Sequence, residues 1–270
     1  MNLAPRADIV WRDPGLLVLD KASGVPVLAD RSGMPCLWEA LEALLAPEGL
    51  RPLAVHRIDK GTSGLLLVAL NRKVQRRISA AFEAGTVDKW YAAIGRAAIG
   101  RAAIGRAAPD GAASHSAGLP PGTLTIDLPL APGRKSRWRV AGPRDAIAFD
   151  STGKRYHLPS DTPLKQGART AITRARTHRS DGKRSLFSVH LITGRTHQIR
   201  VHLAWIGAPL LGDHLYGAPA DSDQQASRLA LHCRRLRLPS LGDGIARPTC
   251  FRAPLPGDFR ALLPQLPTLA

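Results

Sequence analysis

The sequence is poor in cysteine, in aromatic side chains and in acid. Its three cysteines, Cys36, Cys233 and Cys250, are far apart, odd in number and form no CxxC pair. Neither a disulfide framework nor a zinc site is signalled, and a reducing cytoplasm is the expected compartment. No apolar run reaches the roughly 18 residues that a membrane helix requires. The opening stretch MNLAPRADIVWRDPG contains no apolar core of signal-peptide length, so neither a membrane nor secretion is expected. Aromatic residues make up 5% of the chain, too few for a broad stacking platform for single strands. There is no nucleophile elbow, no metal-ligand cluster and no glycine-rich phosphate loop, which argues against a hydrolase or a metal enzyme. Acid is the scarcest class relative to its opposite: Asp and Glu number 21 against 38 Lys and Arg, a net charge of +17. Such a field favours a polyanionic partner, nucleic acid or an anionic surface. A coding bias towards Arg and Ala would produce the same excess, so charge alone does not choose.

What is present suffices for a globular protein. A chain of 270 residues with 44% apolar side chains can bury a sizeable core, as one large domain or one domain with an appendage. Strands are expected at 8–11 and 16–19 around Pro14-Gly15, and at 65–69, 171–177, 185–191 and within 227–238. Leu37, Ala40, Leu41, Leu44 and Leu45 recur at helical spacing and predict a helix over 36–46. A basic helix is expected over 72–83, another helix over 196–206, and a short closing helix over 258–263. The fold class read from this order is α/β (α+β): a mixed, mainly antiparallel sheet with flanking helices, in one domain over 1–270. One oddity interrupts it. After Tyr91 the pentapeptide Ala-Ala-Ile-Gly-Arg occurs three times in tandem, at 92–96, 97–101 and 102–106. With the Ala, Gly, Ser and Pro that follow, it reads as a surface-loop insertion at about 95–122, or else as a basic arm presenting Arg96, Arg101 and Arg106.

Two segments carry candidate chemistry. In Val55-His56-Arg57-Ile58-Asp59-Lys60-Gly61-Thr62-Ser63-Gly64-Leu65 a single carboxylate stands among basic side chains, just before a small-residue turn that feeds an apolar strand. Neighbouring cations favour its ionised form. Such an aspartate serves either as a reactive anion at a strand edge or as a turn cap paired with Arg57 or Lys60. In Thr193-Gly194-Arg195-Thr196-His197-Gln198-Ile199-Arg200-Val201-His202-Leu203 the expected helix is capped by Thr196 and has an apolar stripe of Ile199, Leu203 and Ile206. His197 and His202 are five apart, which misses the i, i+4 spacing of two zinc ligands on one face, so no metal is expected. Hydrogen bonds to phosphate or backbone are the simpler roles for both.

HRIDKGTSGLLLVA resembles the signature segment of the RluA-type pseudouridine synthases, HRLDxxTSGLLL, with Ile58 in place of leucine. Lys89-Trp90-Tyr91 is similar to the family's second motif, KxY, and TGRTHQIRVHLAWIGAPLLGDHLYG to its third. Weaker echoes, LLVLDKASGVPV, IDLPLAPGRKSRWRV, RLALHCRRLRLPS and FRAPLPGDF, extend the likeness over nearly the whole chain. The Ala-Ile-Gly-Arg repeat has no counterpart in the family pattern. A first core-like strand within about ten residues of Met1 leaves no room for a preceding S4-like domain, so the single-domain members are the nearer likeness.

The resemblance implies an isomerase that breaks the N1–C1′ bond of uridine, turns the base and rejoins it through C5. No redox change or energy input is needed, so no cofactor is implied. Asp59 takes the position of the nucleophile, Tyr91 that of the ring that packs on uracil and serves as base, and Arg195 that of the cation paired with the aspartate. The base must leave the stack to react. Arg57 is then the side chain expected to fill the vacated space, with Lys89 and Arg200 binding phosphate. The implied partner is structured RNA, ribosomal, transfer or both, with no membrane and no protein partner, and a monomer as default. The competing reading is a catalytically silent RNA-binding relative in ribosome or tRNA maturation. Such a relative would be free to lose a member of the triad, and here all three are present.

Overall fold

The computed structural model describes residues 6–30, 33–96, 122–134, 137–180, 184–217, 226–242 and 246–262. The second and third pentapeptide copies, and nearly all of the expected insertion, lie outside the described residues. Two compact units emerge, residues 1–90 with 231–255, and residues 91–230 with 256–270.

The first unit is built around β4 (Ser63–Ala69), all seven residues of which are buried. A strand buried on both faces reads as a continuous apolar run rather than as an alternation, which is the pattern of Leu65 to Ala69. β1 (Ala7–Arg12) pairs antiparallel with β2 (Leu16–Lys21), β2 pairs antiparallel with β4, and the two-residue β3 (Leu53–Ala54) also pairs with β4. On its far side β4 runs parallel to β13 (Leu231–Arg237), which pairs in turn with β14 (Cys250–Arg252). Gly64 is required here: at φ 105° its hydrogen lies where a Cβ would come within 2.3 Å of the Cys233 carbonyl oxygen. α1 (Leu37–Leu45) buries Leu37, Ala40, Leu41 and Leu45 on the core of Leu17, Leu19, Leu66 and Val68. α2 (Arg72–Glu83) begins at Asn71, whose side chain accepts from the Val74 N–H at 2.9 Å, and buries Val74, Ile78 and Ala81. The turn between β1 and β2 is closed by Asp13, which accepts from the Gly15 and Leu16 N–H groups and from Arg247. Burial works against that carboxylate, but these donors outweigh it and hold its pKa below the ordinary range.

The chain crosses into the second unit within β5 (Asp88–Arg96). There the strand order is β5, β12 (Arg184–Leu191), β11 (Ile172–Ser180), β6 (Gly122–Asp127), β10 (Arg155–His157) and β9 (Ala148–Asp150). β6 and β10 run parallel, while β9–β10, β11–β12 and β6–β11 are antiparallel. A separate two-stranded sheet joins β7 (Leu130–Pro132) to β8 (Trp138–Val140). α3 (Gln198–Trp205) packs on β8 and β11, and α4 (Gly257–Leu262) closes the described chain. The sheets are mixed and mainly antiparallel, as expected. The first pentapeptide copy is core: Ala92, Ala93 and Ile94 are buried in β5, and a Cβ on Gly95 would meet the Ala208 carbonyl at 2.8 Å.

Candidate active site

In the first unit Asp59 lies at the corner of a tight turn, its carbonyl accepting from the Thr62 N–H at 3.0 Å. That turn is fixed by the segment after β2. Lys21 is fully buried, and its ammonium donates to the carbonyls of Ala22, Val25 and Lys60 at 2.8, 2.8 and 3.2 Å. Three carbonyl acceptors match the three donors of an ammonium, which is how a buried lysine is tolerated. Ser23 donates its hydroxyl to the Gly61 carbonyl at 2.6 Å, and the Gly24 N–H donates to the Lys60 carbonyl at 2.9 Å. Lys60 itself pairs with Asp30 at 3.4 Å. Asp59 is half-buried and Arg57 exposed, while Ile58 between them is in the core.

The motif's histidine is structural. His56 Nε2 accepts from the Leu67 N–H of β4 at 2.8 Å, and the ring stacks on Phe82 with centroids 4.6 Å apart. An accepting Nε2 requires a neutral imidazole with its proton on Nδ1. Burial, reinforced by the charge of Lys89, pushes the His56 pKa down to about 3. Ser63 bonds His232 Nδ1 at 2.9 Å beneath the same strand.

Lys89 does not stand as a surface cation for phosphate. It is buried, its ammonium donates to the Val87 carbonyl at 3.0 Å and lies 5.7 Å from the Phe82 ring centroid. Burial lowers its pKa against the opposing pull of Asp88 and Cys233. Alternation along β5 carries Lys89 and Tyr91 on one side of the strand, and both are buried.

In the second unit the expected Thr196 cap is replaced by a different entry. Thr196 is exposed, and the N-cap is His197, held in the left-handed region at φ 56°, so α3 starts at Gln198. Such a backbone is uncommon outside glycine and persists only where surroundings impose it. Here His197 Nδ1 bonds the Tyr216 hydroxyl at 2.8 Å, and that oxygen accepts from the Trp138 N–H at 2.8 Å. Gln198 does the cap's work with its side chain. Its Oε1 accepts from the Arg195 N–H at 2.9 Å and from Thr193 Oγ1 at 2.8 Å, while its Nε2 donates to the Ile172 carbonyl and Thr173 Oγ1. The loop bearing Arg195 is thereby tied to the start of β11. Arg195 is half-buried and donates Nε to the Thr170 carbonyl at 3.0 Å, which leaves its two terminal nitrogens for other partners.

Arg200, expected to bind phosphate, is instead buried and makes a bidentate pair with Asp213 at 2.8 Å to each oxygen. Asp213 also accepts from the Leu215 and Tyr216 N–H groups. Burial raises its pKa, but the bonds and charge of Arg200 overcome that and hold it low. His202 bonds the Leu128 carbonyl through Nε2 and Thr173 Oγ1 through Nδ1, both at 2.9 Å, and burial depresses its pKa to about 4. Lys21, Gln198, Asp213 and Tyr216 escaped residue-by-residue reading. Their only sequence signal was membership of the segments LLVLDKASGVPV, TGRTHQIR and GDHLYG. Among the described residues no group of three His, Cys, Asp or Glu side chains is placed to hold a metal.

Comparison with known proteins identifies the family. The family model described as RNA pseudouridylate synthase matches residues 15–205. The chain is 33% identical over 257 residues to an uncharacterised RNA pseudouridine synthase of Zymomonas mobilis, covering 94% of this chain and 96% of that one. It is 31% identical over 271 residues to the ribosomal large subunit pseudouridine synthase D of the same organism, covering 96% of this chain and 69% of that one. The fold is shared with the solved structure of human RNA pseudouridylate synthase domain containing 4, at TM-score 0.64 and 23% identity, covering 93% of this chain and 89% of that one. The chain belongs to the RluA-type RNA pseudouridine synthase family. It is an isomerase that converts uridine in RNA to pseudouridine.

Proposed function

We propose that the chain works as one synthase domain in which Asp59 is the nucleophile, Tyr91 packs on the uracil and acts as base, and Arg195 keeps the aspartate ionised and oriented. The observation that carries this is how the residues around the Asp59 turn are used. Lys21, Ser23, His56 and Gly64 are spent on the backbone around one turn, and Asp59 is the carboxylate that this turn presents. A carboxylate nucleophile splits base transfer into two easier steps. An ordinary tyrosine ionises near pH 10, so its role as base requires a neighbouring cation. Arg57, exposed next to Asp59, fills the space left by the flipped uridine.

The substrate we propose is ribosomal or transfer RNA in the cytoplasm, acted on by a monomer. A relative named for the large ribosomal subunit supports the first of these RNAs, and the absence of a membrane-crossing helix among the described residues is compatible with that compartment. The test is a map of pseudouridines across total RNA from cells with and without the gene. Specific sites vanish in its absence and return with the parent gene but not with an Asp59→Asn copy. Loss of no site, or full rescue by that copy, refutes the proposal.

A further inference from the structure

Strands β13 and β14 face inward with Leu236 and Phe251, both buried, and outward with arginine. Arg235 stands directly opposite Arg252, and Arg237 opposite Cys250. Directly opposed side chains on an antiparallel pair have Cβ atoms about 5 Å apart, and like charges there destabilise the sheet. Arg235 and Arg237, two residues apart on one face, are separated by about 7 Å. Neither strand contains an acid, and among the described residues Arg237 and Arg252 form no ion pair. The Arg235 guanidinium lies over the Trp90 ring, 4.7 Å from its centroid, which holds the plane in place. Arg234 on the opposite face of β13 registers the local field: burial, then Arg252 and Arg235, lower its pKa.

The fold gains nothing from opposing two arginines, and among the described residues no acid pairs with either Arg237 or Arg252 to compensate them. We infer that Arg235, Arg237 and Arg252 form a grip for the phosphate backbone of the RNA substrate, outside the catalytic motifs. Guanidinium groups held on a sheet surface match phosphate oxygens bidentately. The outward positions offer no large apolar side chain to enter a lipid interface, which favours RNA over an anionic membrane. The inference rests on RNA being the substrate.

The experiment compares the full-length parent with the triple variant Arg235→Gln, Arg237→Gln, Arg252→Gln. The probe is an in vitro transcript, labelled with tritium at uridine C5, that the parent modifies. Three lost phosphate contacts flatten the slope of log K against log salt by about 2 to 3, raise KM and leave kcat at saturating RNA in place. The melting temperature stays level or rises, because the opposed pair is gone. A triple lysine variant keeps most of the slope. The single Arg237→Gln variant, opposite only Cys250, flattens it by about 0.7 to 0.9. An unchanged slope and KM overturn the inference, as does a lower melting temperature with reduced kcat, which marks a structural role. Arginine-dependent binding to phosphatidylserine vesicles, with RNA affinity unaltered, also overturns it. A parent that releases no tritium from any RNA would refute the substrate reading instead.

Discussion

The two long motifs solve one problem with different chemistry. Around Asp59 the scaffold is a buried ammonium on three carbonyls, a hydroxyl on a carbonyl and a neutral imidazole on an amide. Each of these groups is satisfied by backbone. Around Arg195 the scaffold is side chain on side chain: Gln198 with Thr193 and Thr173, His202 with Thr173, Arg200 with Asp213, His197 with Tyr216. Backbone acceptors are fixed by the fold and cannot be removed by substitution. The second motif depends on partners that can. Its scaffold is therefore the more fragile to mutation, and the surroundings of Asp59 the more tolerant, except at Lys21, Ser63 and Gly64.

The sharpest way to break this contrast is Arg200→Met. Removing one member of a buried, hydrogen-bonded ion pair leaves the other charge uncompensated and costs about 3–5 kcal/mol. Urea unfolding checks it, and a loss below about 1 kcal/mol would show that Asp213 does not depend on its partner. Acid probes both motifs at once. His56 and His202 are held neutral with pKa values lowered to about 3 and about 4, so below about pH 6.5 the unfolded chain takes up protons that the folded chain refuses. Their contribution is complete above that pH and is lost as pH falls towards 4, at about 1.4 kcal/mol per pH unit for each histidine. Denaturant midpoints across this range should fall more steeply for the parent than for a His56→Gln variant. Equal slopes would mean that the imidazole is not held neutral.

The smallest effect is expected from deleting residues 97–106. The first pentapeptide copy already completes β5, with Gly95 against Ala208, and the extra copies change loop-closure entropy by only about 0.6 kcal/mol per doubling of length. Unchanged kcat and KM are the expected result. A KM above the parent's at low salt, with the difference vanishing at high salt, would favour an arm built from Arg101 and Arg106.

Local pattern made α1 and α2 legible to within a residue, because the spacing of side chains along one helix is a local signal. Strand pairing was not legible, since β4 meets β13 across 169 residues, as Ser63 and His232 show. β7 to β10, three residues each, are too short to carry a period. Sequence identified the motifs but did not display the burial of the charges within them. Lys89 and Arg200 read as phosphate ligands because a sequence displays charge and conceals burial, and the acid that claims Arg200 lies 13 residues away. His197 was hidden for a related reason: its left-handed backbone at the helix entry goes with a bond to Tyr216, 19 residues away.

The central claim is that the first motif separates scaffold from chemistry, with Asp59 as its nucleophile. Asp59→Asn is nearly isosteric and removes the anion while leaving the Asp59 carbonyl to accept from the Thr62 N–H. Tritium release from RNA labelled at uridine C5, measured beside thermal melting of the same purified protein, tests it directly. The account predicts release at background with an unchanged melting temperature. Appreciable release by the variant would contradict it.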